Sequence, residues 1–378
     1  MTTRPILPPA TIGMLGGGQL GRYALMAAAS MGYRTIVLDP DPSAPAGLVA
    51  GEHLVAAYDD PRALQRLAFE CDVVTTEFEN PPAGALDELA VHTVVAPSPA
   101  SVRIAQDRIA EKRFLVDNGF PVGPHAELTD QTSGVDPALV DGGAILKTAR
   151  LGYDGKGQRP VTNVAEALAA WAELGGVPCV VERRLDLESE LSVIVGRTAA
   201  GDVEAWPVAE NQHVDGILDL SIVPARVAPT LADRAVGLAM AVADALGYVG
   251  VLAVEMFVVD GDLLVNELAP RPHNSGHWTL DAAATSQYEQ QIRAVCGLGL
   301  GSTAMTAPAI AMVNLLGDQW DDGEPDWSVV FADPNAKLHL YGKTEARPGR
   351  KMGHLTVTGP DTMSVAARAM ELRRLLTV

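Results

Sequence analysis

Residues 252–268 read LAVEMFVVDGDLLVNEL, and this stretch decides the fold of the longer part of the chain. Two apolar, β-prone runs separated by Asp260, Gly261 and Asp262 predict an antiparallel hairpin. With those three residues as the loop, Glu255 and Glu267 fall directly opposite on one face. Their Cβ atoms would stand about 4.5–5.5 Å apart. Two carboxylates so close repel unless a cation lies between them or one takes a proton. Mg²⁺, with Mn²⁺ as an alternative, takes oxygen ligands and leaves room for substrate phosphates. Glu255 and Glu267 are therefore the candidate metal ligands. A register one residue off would turn one of them to solvent instead.

Downstream comes Pro270-Arg271-Pro272-His273-Asn274-Ser275-Gly276-His277-Trp278. Two prolines hold an arginine ahead of a polar turn, which suits a small oxyanion; His273 and His277 are equivalent at this level. Upstream, from about 143, short strands (AILKTA, CVVERR, ELSVIVG) alternate with glycine turns, and a long helix is expected near 231–246. This is an antiparallel α+β region. Following the strand that carries Lys147, Arg150-Leu-Gly152-Tyr153-Asp154-Gly155-Lys156-Gly157-Gln158 has three glycines beside a cation. It suits a mobile lid over a triphosphate, against the alternative of a plain flexible hairpin. It is not a Walker A loop, because no Ser or Thr follows Lys156.

The N-terminal part has a different rhythm. TIGMLGGG (11–18) reads as a buried strand entering a glycine turn, 19–31 as a helix and TIVLD (35–39) as a second strand. That is the strand–helix–strand unit of a doubly wound parallel sheet, extended by VVTTEFEN (73–80) and VVAP (94–97). Gly16 to Gly21 fits G-x-G-x-x-G with Asp39 beyond it, an anion-binding turn and weaker support for NAD. Glu77 sits at a strand end, where α/β sheets place ligands. Residues 104–119 read as one helix stopped at Gly119 before Pro121. The tail adds strands at AIAMVNLLG and KLHLYG, the basic loop EARPGRKMGH (345–354) and a final helix at 361–376.

Composition narrows the function classes. A formal charge of −19 argues against a duplex nucleic-acid binder, so an anionic ligand must meet local cationic clusters. Lysine occurs only at 112, 147, 156, 337, 343 and 351, and its compact ammonium suits phosphate oxygens. The 378 residues, 48% of them apolar, allow two or three domains. No apolar run reaches the roughly 18 residues of a membrane span, and no secretory leader is evident. The three scattered cysteines fit buried hydrophobes better than disulfides. A soluble, cytoplasmic protein is expected.

Lys112, Lys147, the glycine loop, Glu182-Arg183-Arg184-Leu185, Glu190 and the Glu255/Glu267 pair resemble the ATP-grasp superfamily. Within it, GGGQLGR, GYDGKGQ, NELAPRPHNSGHW and RPGRKMGH resemble the 5-(carboxyamino)imidazole ribonucleotide synthetase family of purine biosynthesis. The resemblance spans nearly the whole chain. It implies a preATP-grasp domain (1–103), a split ATP-grasp core (104–300, lid about 123–187) and a small C-terminal domain (301–378). It also implies a homodimer and small-molecule substrates: ATP, bicarbonate and 5-aminoimidazole ribonucleotide.

By that resemblance Lys112, Lys147, Gly152, Gly155, Lys156, Gly157, Glu182, Arg184, Leu185, Glu190 and Asn266 serve the nucleotide. Gly18, Gln19, Leu20, Glu77, His273, Asn274, Lys343, Arg350 and Lys351 serve the ribonucleotide, whose phosphate the basic loop would clamp. Arg271 would face a carboxylate-like oxyanion, and Asp154 beside Tyr153 would orient or deprotonate the amine. Many ATP-grasp enzymes carry Asn two positions after the second Glu; here Ala269 stands there, leaving Asn274 or water to complete the shell. Rival readings are a formate-dependent glycinamide ribonucleotide transformylase, a biotin carboxylase, an NAD-dependent oxidoreductase and a non-catalytic nucleotide-binding regulator.

Overall fold

The computed structural model describes residues 4–130, 134–152 and 157–376. Tyr153, Asp154, Gly155 and Lys156 of the glycine loop lie outside the described residues. Among those described, the strands form three sheets. The N-terminal sheet is parallel, in the order Glu52–Leu54, Arg34–Leu38, Thr11–Leu15, Val73–Thr76, Val94–Val95. Alternation along its strands sorts side chains into two cores. Ile12, Met14, Val37 and Val73 pack with the helix Gln19–Ser30, while Leu15, Ile36, Leu38 and Val74 pack with the helix Pro61–Glu70. Burial on both faces explains why these strands read as unbroken apolar runs.

The largest sheet is antiparallel and starts at the acidic hairpin. Its order is Asp262–Ala269, Gly250–Val259, Ser189–Arg197, Ala209–Val214, Ile217–Val223, Ala309–Leu316, Lys351–Gly359, Ala336–Leu340. Pairing of Ile217–Val223 with Ala309–Leu316 carries the C-terminal strands on as a continuation of this sheet, covered by the helix Thr362–Leu375. The third sheet, His125–Leu128, Cys179–Arg183, Ala144–Thr148 and Gln158–Val161, is antiparallel and carries the helix Val164–Glu173 on one face. The helix Gln19–Ser30 joins the parallel sheet to the rest: its Tyr23 shares a core with Tyr288, Ile292 and Val295 of the helix Gln287–Val295.

Three local expectations change. The helix read over 104–119 is two helices, Pro99–Ala105 and Arg108–Asp117. Asp107 breaks it by accepting the backbone N–H groups of Ile109 and Ala110 at 3.0 and 3.3 Å, an N-cap in the sequence interior. The second half of the basic loop is the start of the strand Lys351–Gly359. The hairpin loop has two residues, Asp260 and Gly261, with φ of 50° and 75°, as a type I′ turn requires.

Candidate functional site

A two-residue loop should have put Glu255 out of step with Glu267. Pairing runs from Val259↔Asp262 to Met256↔Val265; the ladder then skips Asn266, so that Glu255 faces Glu267 after all. The expected partners meet, through a bulge instead of a longer loop. A bulge leaves one residue without a partner in the ladder. The carbonyl of Asn266 accepts from Lys112 Nζ at 2.8 Å, and its side-chain Oδ1 is buried with no partner.

Each glutamate has its own nitrogen partner. Arg108 donates to Glu267 Oε2 at 2.7 Å; burial opposes the charge on Glu267, but Arg108 outweighs it and holds the carboxyl at about 2. Glu255 pairs with His273 Nε2 at 2.9 Å. His273 is held from behind: its Nδ1 meets the Ser275 hydroxyl at 2.9 Å, Ser192 donates to Ser275 at 2.8 Å, and the Asn211 amide donates to Ser192 at 2.8 Å. Glu255, Glu267 and the partnerless Asn266 Oδ1 make an all-oxygen donor set, which fits a hard cation such as Mg²⁺. Asn274 does not complete that shell. It lines the cleft, with its amide held in a reciprocal pair with Asn314 at 2.9 and 2.7 Å.

These groups open into a cleft of about 1030 Å³ walled by strands of the two antiparallel sheets, by the start of the helix Gln19–Ser30 and by the loop that follows the strand Val73–Thr76. Lys147 lines it and donates to Glu182 Oε2 at 3.0 Å. Lys112 does not: it is 2% exposed, committed to Asn266 and 3.9 Å from Glu182. Expected to meet the phosphates or the adenine of the nucleotide, Lys112 lies beneath the cleft wall, where it satisfies the carbonyl that the bulge frees. Glu190 lines the cleft with His213, 2.9 Å away; burial disfavours the His213 charge, but Glu190 raises its pKa overall. Gly152 also lines the cleft, whereas Gly157, Glu182, Arg184 and Leu185 stand outside its wall. Gly157, at φ +72°, lets the hairpin close where a Cβ would come within 2.5 Å of Thr148 Oγ1.

At the N-terminal turn, the amides expected to receive a ligand phosphate are already used. Gly17 donates to Asp39 at 2.6 Å, and Gly18 and Gly21 donate to Glu77 at 2.9 and 3.0 Å. Asp39 also accepts from the Tyr58 hydroxyl at 2.6 Å. With its own carboxylates at this helix N-terminus, the motif has lost its claim on a dinucleotide. Gly18 contacts Glu77 instead of lining the cleft; a Cβ there would lie 2.6 Å from the Glu77 carboxylate. Gln19, Leu20 and Glu77 do line it.

The same wall carries Arg271, His273, Lys343, Arg347, Arg350 and Lys351. Lys343 donates to the Lys351 carbonyl at 2.7 Å and Arg350 to that of Glu345 at 2.7 Å, so the backbone of the basic segment is held by its own cations. Arg271 is ion-paired with Glu79. Of the two histidines left open, His273 faces the cleft, while His277 is fully buried with its Nδ1 2.5 Å from the Tyr288 hydroxyl. Four contributors were not foreseen: Arg108, Glu79, Glu111 and His213. The helix break at Asp107 was the available signal for Arg108. Glu111 is buried beneath the hairpin, accepts the Leu268 N–H at 2.5 Å, and burial pushes its carboxyl up to about 8.

Three family models cover the chain in succession. They describe a ribonucleotide synthetase preATP-grasp domain at residues 9–106, an ATP-grasp domain at 113–288 and a phosphoribosylaminoimidazole carboxylase C-terminal domain at 310–368. The chain is 47% identical over 367 residues to the N5-carboxyaminoimidazole ribonucleotide synthase of Brucella melitensis, covering 96% of this chain and 100% of that one. With the Bacillus subtilis enzyme of the same name it shares 45% identity, covering 94% and 93%. A crystal structure of an N5-carboxyaminoimidazole ribonucleotide synthetase with ADP superposes with a TM-score of 0.91 at 42% identity, covering 98% of each chain. The Aspergillus clavatus synthase in complex with ADP and 5-aminoimidazole ribonucleotide gives 0.86 at 30% identity, covering 97% and 98%.

Proposed function

Since the chain belongs to the N5-carboxyaminoimidazole ribonucleotide synthase family of ATP-grasp enzymes, we propose a division of labour among its residues. It is an ATP-dependent ligase that carboxylates 5-aminoimidazole ribonucleotide to N5-carboxyaminoimidazole ribonucleotide in purine biosynthesis. The observation that carries the residue roles is one cleft joining the Glu255/Glu267 pair and Lys147 to the basic segment 343–351.

In this reading a bicarbonate oxygen attacks the γ-phosphorus of ATP and ADP departs, leaving carboxyphosphate. The exocyclic amine then attacks the carboxyl carbon, or CO₂ released beside it; phosphate leaves and the amine gives up a proton. Mg²⁺, held by Glu255, Glu267 and Asn266, would supply charge neutralisation at the phosphate oxygens. Arg108 and Lys147 place fixed positive charge where the triphosphate lies, an arrangement worth several kcal/mol to a phosphoryl transfer. Glu190, supported by His213, accepts from ribose hydroxyls, and the segment ending in Leu185 borders the adenine. Lys343, Arg350 and Lys351 hold the ribonucleotide phosphate, joined by Arg347. Gln19, Leu20 and Glu77 border its ribose. Arg271 and His273 face the carboxyl oxygens. Asp154 beside Tyr153 receives the amine proton, and Gly152 to Gly157 with Lys156 close over the phosphates, keeping water from carboxyphosphate.

The division into 1–103, 104–300 with a lid near 123–187, and 301–378 belongs to the same proposal, as do a homodimer and a cytoplasmic location. Among the described residues no helix is long and apolar enough to cross a membrane. The test is ADP release with ATP, Mg²⁺ and bicarbonate, with and without 5-aminoimidazole ribonucleotide. Strong stimulation with a bicarbonate-dependent product is expected; ADP release indifferent to the ribonucleotide would overturn the acceptor assignment.

A further inference from the structure

Behind the basic segment lies a group of histidines that the reaction does not use. His339 and His354 are direct cross-strand partners between Ala336–Leu340 and Lys351–Gly359, so their side chains leave the same face of the sheet. Their rings stack with centroids 4.6 Å apart and 15° between planes. Asp281, on the short helix Thr279–Ala282, meets His339 Nε2 at 2.8 Å. One oxygen of Asp281, one nitrogen of His339 and one of His354 all lie within 4.8 Å of each other. His354 is fully buried, its Nδ1 is 3.0 Å from the Tyr341 hydroxyl, and its Nε2 has no partner. A buried polar atom in that condition calls for an explanation.

We propose that Asp281, His339 and His354 form a binding site for a divalent transition-metal cation of the Zn²⁺ class, separate from the nucleotide cleft. Two imidazoles and a carboxylate suit such a borderline cation, whereas Mg²⁺ favours oxygen ligands throughout. Tyr341, accepting from Nδ1–H, would fix the tautomer that directs the Nε2 lone pair outward, in the place of the carboxylate, carbonyl or water that orients most metal-bound histidines. Tetrahedral bonds of about 2.0–2.1 Å bring donor atoms to roughly 3.3 Å of each other, so one imidazole must turn out of the stack. His339 has the room, with its side chain 23% exposed. Solvent on that side would complete the coordination. The cation would fasten the helix after the His273 segment to the strand that begins with Lys351.

The experiment is calorimetric titration of the full, chelator-treated chain with Zn²⁺ in the presence of excess Mg²⁺ and ADP, which cover the nucleotide site. Co²⁺ absorption would report coordination geometry in parallel. The expectation is one equivalent of Zn²⁺, weakened about 100-fold or more by His339→Ala and Asp281→Asn and about 10–100-fold by Tyr341→Phe. Glu267→Gln should leave that equivalent unchanged. Absence of a stoichiometric equivalent in the unmodified chain would overturn the proposal. So would an equivalent that survives both His339→Ala and Asp281→Asn.

Discussion

Lys112 and Lys147 are alike in sequence terms, yet burial gives them different work. Lys112 is locked beneath the bulge, 2.8 Å from the Asn266 carbonyl, while Lys147 reaches the cleft. Lys112→Met should therefore lower stability by about 1–3 kcal/mol, seen as a fall in Tm. Lys147→Met should chiefly raise KM for ATP; the reverse pattern would contradict the assignment. Glu267→Ala is expected to cut turnover about 100-fold or more. It also strands Arg108, whose guanidinium is paired with Glu267 at 2.7 Å, so Tm should fall with it. Undiminished activity would remove Glu267 from the metal set. At the other end of the cleft, Lys351→Ala should raise KM for the ribonucleotide about tenfold or more, the worth of a lost charge-assisted hydrogen bond. KM for ATP should change little; equal effects on both would take Lys351 out of the phosphate clamp.

At the scale of elements, the acidic hairpin shows how a correct pairing can arise from a different geometry. A three-residue loop with a regular ladder and a two-residue loop with a bulge at Asn266 both set Glu255 opposite Glu267. Only the second frees a carbonyl for Lys112. The turn itself is separable from the chemistry. A Cβ at Gly261 meets nothing within 4 Å, but φ there is +75°. Gly261→Ala should thus cost about 1–2 kcal/mol of backbone strain, measured by denaturant unfolding, with turnover per folded molecule unchanged. A loss of turnover would mean that the turn contributes to the site. The interior N-cap at Asp107 has an effect of the same kind, since the helix it starts places Arg108 against Glu267.

Across the whole molecule, the parallel sheet and the large antiparallel sheet meet through the core of Tyr23, Tyr288 and their neighbours. His277 and His354 lie fully buried beside it, and burial first, then neighbouring imidazoles and, for His277, Lys351 and Arg271, drive both pKa values well below 6.5. The folded chain therefore keeps them neutral where the unfolded chain takes up protons. Stability from this source is complete above pH 6.5 and is lost as pH falls below it, by up to about 1.4 kcal/mol per pH unit for each histidine. His354→Phe should flatten the fall in Tm between pH 7 and 5.5. An unchanged slope would show that His354 already titrates normally in the fold.

The strand–helix–strand start, the α+β middle, the acidic hairpin and the basic segment were all legible in the chain, because each is written in local periodicity and turn residues. What tertiary structure alone decided is which charges meet. Arg108 finds Glu267 across 159 positions, Arg271 finds Glu79 across 192, and Lys112 finds Asn266 across 154. His213 joins Glu190 from a strand that no motif announced. Burial makes these pairings obligatory, since a charge removed from water must be compensated by whatever the fold brings near. Sequence spacing carries no record of that neighbour, so the residue types of the site could be read in advance and their partners could not.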